Sequence, residues 1–564
     1  MDDEPMPSEQ NNSSYAGRWV ARVRGKIIAQ GGTPEQALRA SQQSRFKEKP
    51  EIVFMPISFP VHPLIEEVKS RISAEQPIHL VGGAVRDMLL GRVSPDLDFA
   101  VPSNSISLAR KISNALHVDF VVLDEERDTG RVVVSDDHGV RTFMDFAAYR
   151  AGNSPSASIP SLDDDLRGRD FTINAMAYDL HSGEIIDPLG GAKDLHAKMI
   201  RCCSPSAFSD DPVRILRAVR QAAAMEFHIE KGTRELMKES AADIGRVSPE
   251  RLRDELFKIL HGPKADASVR ALEMLGILPH FLPELTAMKG VEQSAPHVYD
   301  VWTHTLAVMA SLEGILAALR LDHRAEDANG LMAGLLSLGL GRYREQFERH
   351  YSQSLNPDRT IRSLLFFAAL YHDVSKPETR TVDAGGRVRF FDHEIKGADI
   401  AAERARVFNL SSVEIERLQL IIRNHMRIHS HATRLEEAKE TPSRKAVYRF
   451  FRDTGEASID LVLLALADLR GTRASTLTQE SWAAYLEIAR ILLENYWERP
   501  EQIVSPPRLL DGNEIMRELS LKPGPVVGQL LEAIRENQAA GKIETREQAL
   551  SFARDQISDG ARGE

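Results

Sequence analysis

The stretch Leu80–Val101, LVGGAVRDMLLGRVSPDLDFAV, decides how this chain is read. A short apolar run ends at Gly82-Gly83, a helix-length segment follows, and a second apolar run carries Asp96 and Asp98 one residue apart. Residues i and i+2 of a strand project to one face, so both carboxylates enter one space. Like charges that close repel, and a divalent cation relieves the repulsion. Hard carboxylate oxygens suit Mg²⁺, which pairs a few carboxylates with phosphate oxygens. Asp145, in the strand-like VRTFMDFAA of 140–148, offers a third carboxylate if its strand lies beside the first. Such a set can hold two metals about 3.5–4 Å apart. Gly82 and Gly83 sit where a strand passes into a helix, and their N–H groups can bind a triphosphate that approaches closely. Arg86 is then the phosphate clamp and Asp87 its structural partner. Taken singly, the D-x-D pair also fits a solvated turn and the Gly-Gly a plain turn; their order together favours a site.

Outward from this stretch, 61–200 alternates strand-like runs (IHLVGG, DLDFAV, DFVVLD, GRVVVSD, VRTFMDFAA, EIIDPLGG) with helical ones such as SISLARKISNALH, which predicts an α/β head. The segment 150–164, RAGNSPSASIPSLDD, reads as a mobile loop. Before the head, 1–14 is polar enough to be disordered, and 15–56 reads as a small strand–strand–helix unit with Thr33 as N-cap and Pro34 at the first helical position. After about 201, amphipathic helices dominate, apart from a hairpin at TRTVDAGGRVRFF (379–391). The fold class is α+β and multidomain: an α/β head, then an all-helical remainder.

Four further segments follow in order: LRGRDFTINAMAYDL (166–180), IIDPLGGAKDLHAKMIR (185–201), SDDPVRILRAVRQAAAMEF (209–227) and VSPERLRDELFKIL (247–260). With the opening stretch they resemble the five motifs of the class II CCA-adding tRNA nucleotidyltransferases and bacterial poly(A) polymerases, members of the DNA polymerase β-like nucleotidyltransferase superfamily. The resemblance covers about 75–260. It implies a nucleotidyltransferase head with Asp96, Asp98 and Asp145 as catalytic carboxylates, Asp96 and Asp98 holding Mg²⁺. It also implies nucleotide binding by Gly82, Gly83, Arg86, Arg169, Asp170, Asn174, Asp211 and Arg214. Arg169 would meet phosphates and Asp170 the ribose. Gly168 stands where the family has a first arginine, with Arg167 beside it to compensate, and Asp210 stands where the family has glutamate.

Asp211 and Arg214 are three apart on what reads as a helix started by Pro212, so they share a face. An acceptor beside a donor matches the exocyclic amine and adjacent ring nitrogen of cytosine and adenine, and leaves uracil and guanine unpaired. An ordinary helix ion pair is the alternative. Arg217 and Arg220 continue along the helix as phosphate contacts or solvated charges.

A second constellation lies downstream. His304 (VWTHTLAV), His372-Asp373 (LLFFAALYHDVSKP) and Asp468 (LALADLRGTR) interrupt apolar runs, as do His393 and His425. A lone histidine there is usually a satisfied core residue; a His-Asp dipeptide with outlying partners points to a metal. The spacing resembles the H…HD…D pattern of HD phosphohydrolases, which implies His304, His372, Asp373 and Asp468 as ligands of Mn²⁺, Ni²⁺, Fe²⁺ or Co²⁺, with His393 and His425 at second-metal positions. Residues 321–360 read as an insertion. The expected layout is head 61–200, helical neck and linker 201–290, HD domain 291–480, and helical tail 481–564.

Composition fits: 564 residues exceed one core, 42% are hydrophobic and 27% charged, and the net charge of −11 leaves room for a local basic stripe rather than a basic coat. No membrane span and no signal peptide are expected. The two adjacent cysteines, Cys202 and Cys203, favour a reducing, cytoplasmic setting. The expected partners are tRNA, CTP and ATP, with no membrane; oligomeric state is left open. The expected activity is template-independent CCA addition. CC-only, A-only and poly(A) addition are its rivals, the loop after Arg150 being the segment that separates C from CCA addition. An HD phosphohydrolase as main activity is the rival of another class; the intact carboxylates disfavour a silent RNA-binding protein.

Overall fold

The structure is a computed structural model that describes residues 18–24, 26–31, 34–42, 48–55, 61–136, 141–150, 160–323, 330–357 and 359–560. The expected disorder of 1–14, the Thr33 cap and residues 151–159 of the loop lie outside the described residues. The chain separates into two compact units, Met1–Ala197 with Arg201–Ser204, and Lys198–Ile200 with Pro205–Glu564.

In the first unit, β1 (Arg18–Val23), β2 (Lys26–Gly31) and β3 (Glu51–Met55) form an antiparallel sheet in the order β2-β1-β3, beside the Pro34–Ser41 helix. The third strand was not anticipated. The head is built on a seven-stranded sheet of β4 (His79–Val81), β5 (Asp96–Val101), β6 (Asp119–Asp124), β7 (Thr129–Ser135), β8 (Arg141–Ala148), β9 (Ala177–Asp179) and β10 (Ile185–Ile186), ordered β10-β9-β4-β5-β8-β7-β6. β9 was missed because its three residues sit inside the polar second motif. The β5–β8 pair is parallel and sets Asp98 opposite Asp145. Strand alternation does the rest: Leu97, Phe99 and Val101 are buried on one face, Phe99 stacks on Phe146 at 4.8 Å, and the aspartates project to the other.

The second unit is helical but not solely so. Besides the expected hairpin, Arg380–Val382 with Val388–Phe390, it contains a parallel pairing of Met199–Ile200 with His228–Ile229 and an antiparallel one of Ser354–Asn356 with Arg359–Thr360. The described part of the insertion forms the Leu331–Leu340 and Arg344–Tyr351 helices. Trp482 Nε1 donates to Met332 O at 3.0 Å, and Tyr343 and Phe347 pack on Trp497, each at 5.0 Å.

The Val301–Ala318 helix is long and apolar enough to cross a membrane by length and composition, and is the one such helix among the described residues. It is mostly buried within the protein, and it packs on the Ser458–Arg473 helix. A helix apolar all round is what a core position requires.

Candidate functional site

In the head, Gly82 has φ +73°, a conformation that favours glycine. A Cβ there would stand 3.1 Å from Asp98 Oδ2 and 3.2 Å from Arg169 Nη1. The glycine therefore lets the backbone pass directly beside a carboxylate and a guanidinium. Arg86 grips Asp87 through Nε at 2.9 Å and Nη2 at 3.0 Å, as expected of a structural partner. Its Nη1 donates to Asn174 Oδ1 at 2.8 Å, and Asn174 Nδ2 donates to Asp170 Oδ1 at 3.0 Å. One hydrogen-bonded chain thus joins the first motif to the second.

Asp98 is half-buried, and burial pushes its carboxyl up; Arg169 and Arg131 pull it down, while Asp145 and Asp96 push the same way as burial. This is the electrostatic state that a bound cation relieves, so the residues present fit Mg²⁺. Sequence reading missed Arg131. It lies across from Asp145 on β7 and binds both its oxygens, at 2.7 and 2.8 Å. The third carboxylate is therefore already occupied by a guanidinium. A single arginine in the apolar run GRVVVSD was the available signal. Arg169 Nε and Nη2 donate to buried Asp165 at 3.1 and 2.9 Å, and Arg167 reaches outward to Asp163 at 2.7 Å. Here Arg167 is paired with Asp163 and not with the site carboxylates.

In the second unit, Asp211 is not on a helix. It has φ −148° and ψ 92°, and the helix begins at Arg214. Pro212 causes this, because the residue before a proline is driven out of the α region. Asp211 Oδ2 is 3.9 Å from Arg214 Nε and 2.8 Å from Arg251 Nη2, a partner not foreseen. Arg220 is held by Glu255 at 2.8 Å, a structural pairing rather than an open phosphate contact.

The six downstream residues come together, all buried. His304, His372 and Asp468 form one group of converging donor atoms and Asp373, His393 and His425 another. Asp373 joins them: Oδ2 lies 3.3 Å from His304 Nε2 and 3.2 Å from His372 Nε2, while Oδ1 lies 3.5 Å from His393 Nε2 and 3.9 Å from His425 Nε2. The Nδ1 atoms of His372, His393 and His425 meet the carbonyls of Ala369, Phe390 and Ile422 at 2.8, 2.8 and 2.7 Å. A proton held there leaves each Nε2 lone pair facing inward, as metal ligation requires. Burial opposes charge on Asp373 and Asp468, yet His372 and Lys376 hold the first well below the usual carboxylate range, and His429 and His304 the second. Burial, with His393 and His372 beside it, pushes His425 down to about 3 against the pull of Asp373 and Asp468, which favours the neutral imidazole. Imidazole with carboxylate suits a transition metal, and these residues fit one. Lys376 Nζ is 2.7 Å from Asp373 Oδ2 and donates to Gln293 at 2.7 Å.

Comparison with known proteins completes the picture. Residues 78–201 match the family model described as the poly A polymerase head domain, 226–289 match a probable RNA and SrmB-binding site of polymerase A, and 301–469 match an HD domain. The A-adding tRNA nucleotidyltransferase of Deinococcus radiodurans is 32% identical over 480 residues, 84% of this chain and 94% of that one. The chain belongs to the tRNA nucleotidyltransferase family. The CC-adding tRNA nucleotidyltransferase of Thermus thermophilus is 31% identical over 84% of this chain and 92% of its own. A CCA-adding enzyme in complex with CTP shares the fold, with a TM-score of 0.56 at 21% identity, over 88% of this chain and 96% of that one. This nucleotidyltransferase thus combines the head, the RNA-binding segment and an HD domain.

Proposed function

We propose that this nucleotidyltransferase extends the 3′ end of tRNA with C and A from CTP and ATP, completing CCA. The observation that carries the reading is the parallel register that sets Asp98 beside Asp145, one strand from the Gly82 turn. Asp96 and Asp98 would hold Mg²⁺, which when bound would activate the tRNA 3′-hydroxyl and stabilise the charge developing on the α-phosphate. Gly82 and Gly83 give the triphosphate close backbone approach. Arg86, fixed by Asp87 and Asn174, and Arg169, fixed by Asp165, supply positive charge to the phosphates. Asp170, steadied by Asn174, receives the ribose. Asp211 accepts from the exocyclic amine of cytosine or adenine, and Arg214 donates to the neighbouring ring nitrogen. Arg251 anchors one Asp211 oxygen, while the buried Oδ1 has no hydrogen-bond partner among the described residues. That arrangement supports a side chain reserved for a ligand.

Relatives that match over most of the chain carry A-adding and CC-adding names, which favours a divided reaction as the rival within the class. Incubation with tRNA lacking CCA and with tRNA ending in C-C, each labelled nucleotide and Mg²⁺, followed by sequencing of the 3′ ends, separates them. Addition of U or G at rates comparable to C and A sinks the Asp211–Arg214 assignment.

The two histidine–aspartate groups support a second reaction, metal-dependent hydrolysis of a phosphoester such as a 2′,3′-cyclic phosphate. His304, His372, Asp373 and Asp468 would hold a transition metal, with His393 and His425 at a second position sharing Asp373. Hydrolysis with Mn²⁺ or Ni²⁺ that survives His372→Ala overturns it.

A further inference from the structure

One imidazole beside the two groups has no role so far. His429 lies on the Met426–Ala438 helix, four residues beyond His425. Its Nε2 is 2.7 Å from Asp468 Oδ2, and its Nδ1 is 2.7 Å from the Tyr485 hydroxyl. Tyr485 belongs to the Gln479–Trp497 helix and Asp468 to Ser458–Arg473, so three helices contribute to one line of polar atoms. The other oxygen, Asp468 Oδ1, lies 3.2 Å from His304 Nε2 and accepts from Thr472 Oγ1 at 3.2 Å.

The arrangement sets Asp468 apart from three of the histidines. His372, His393 and His425 are oriented by backbone carbonyls, which any sequence supplies. Asp468 is oriented by side chains alone in these contacts. The torsion that turns a carboxylate is broad, so an aspartate without fixed partners samples many orientations and can offer either oxygen or both. In the tautomer where Tyr485 O–H donates to Nδ1, the imidazole proton is on Nε2, whose 2.7 Å approach to Oδ2 is a close polar contact that lacks the alignment of a hydrogen bond.

We propose that His429, itself fixed by Tyr485, is a positioning residue of the HD centre: it occupies Oδ2 of Asp468 and leaves Oδ1 as the single oxygen presented to the metal. The proposal rests on the metal-binding reading of the six buried residues. Outer partners of this kind are worth about 10–100-fold in metal affinity.

The test uses the full chain carrying Asp96→Ala and Asp98→Ala, so that the head takes up no metal, stripped and titrated calorimetrically with Mn²⁺. His429→Leu is expected to weaken Mn²⁺ binding by about 10–100-fold and to alter the electron paramagnetic resonance spectrum of the bound ion. The thermal midpoint of the metal-free chain should stay unchanged. His429→Gln, whose amide nitrogen reaches the place of Nε2, is expected to recover most of the affinity. Should His429→Leu fail to fold, Tyr485→Phe carries the test, with an expected loss of about 10-fold. Affinity unchanged in His429→Leu, or in Tyr485→Phe where that variant stands in, overturns the proposal alone. A loss that His429→Gln does not restore also overturns it, since a packing defect then explains the data. A parent chain that binds no Mn²⁺ overturns the metal reading itself, and the proposal with it.

Discussion

At Asp98 a half-buried carboxylate lies among opposing charges, and on balance its carboxyl is pushed up. Burial, Asp145 and Asp96 press it toward the neutral form, and Arg169 and Arg131 toward the charged one. Such a group is held for chemistry at the expense of stability. Asp98→Asn is therefore expected to raise the thermal midpoint of the metal-free chain while lowering nucleotide incorporation at least about 100-fold. A variant that melts earlier contradicts this. His79 gives the head a pH dependence of known sign. Burial lowers its imidazole below the ordinary 6.5, against the pull of Asp179. The unfolded chain therefore takes up the proton first as pH falls, so His79 contributes stability above about 6.5 that is lost toward lower pH. Melting between pH 7 and 5 should drop less steeply in His79→Gln than in the parent chain. At this scale much of the site was legible in the sequence: the D-x-D pair, Gly82, the Arg86–Asp87 partnership and the third carboxylate. Arg131 and Arg251 were not, because each reaches its aspartate across a distance in sequence that no motif spans.

Helices in the second unit are positioned by small residues at close crossings. Gly471 on the Ser458–Arg473 helix is one: a Cβ there would lie 2.6 Å from Val308 Cγ2, 3.1 Å from Val308 N and 3.4 Å from His304 Nδ1. Gly471→Ala must push the Val301–Ala318 helix away, and overpacking of this kind costs about 1–3 kcal/mol. Because His304 and Asp468 sit on the two helices involved, metal affinity should fall together with the melting temperature. A variant with native melting and native Mn²⁺ uptake would exclude the crossing as the element that aligns them. Element type was legible where periodicity was strong. It failed at Asp211, where Pro212 already dictated an extended residue.

The whole molecule holds two centres with different donor chemistry: carboxylates in the head, and imidazoles with carboxylates in the HD domain. Chelation of all metal should stop both reactions. Added Mg²⁺ is expected to restore nucleotide addition to tRNA without restoring the proposed phosphoester hydrolysis, for which the imidazole-rich donor set favours Mn²⁺ or Ni²⁺; recovery of both with Mg²⁺ would contradict the assignment of distinct metals. The candidate residues of both centres were named in advance because the D-x-D pair and the His372-Asp373 dipeptide interrupt apolar runs. The sharing of Asp373 between two groups was not, since it depends on how helices far apart in sequence converge.

That sharing has a consequence for how the HD centre can be lost or kept. A single codon change at Asp373 removes an oxygen from each half at one stroke, since Oδ2 serves His304 and His372 while Oδ1 serves His393 and His425. Changes at His393 or His425 prune only the outer half and leave the inner ligands intact. On the proposed metal reading, descendants of this chain could drift stepwise from a paired to a solitary ion, whereas surrender of Asp373 would dismantle both seats in one generation.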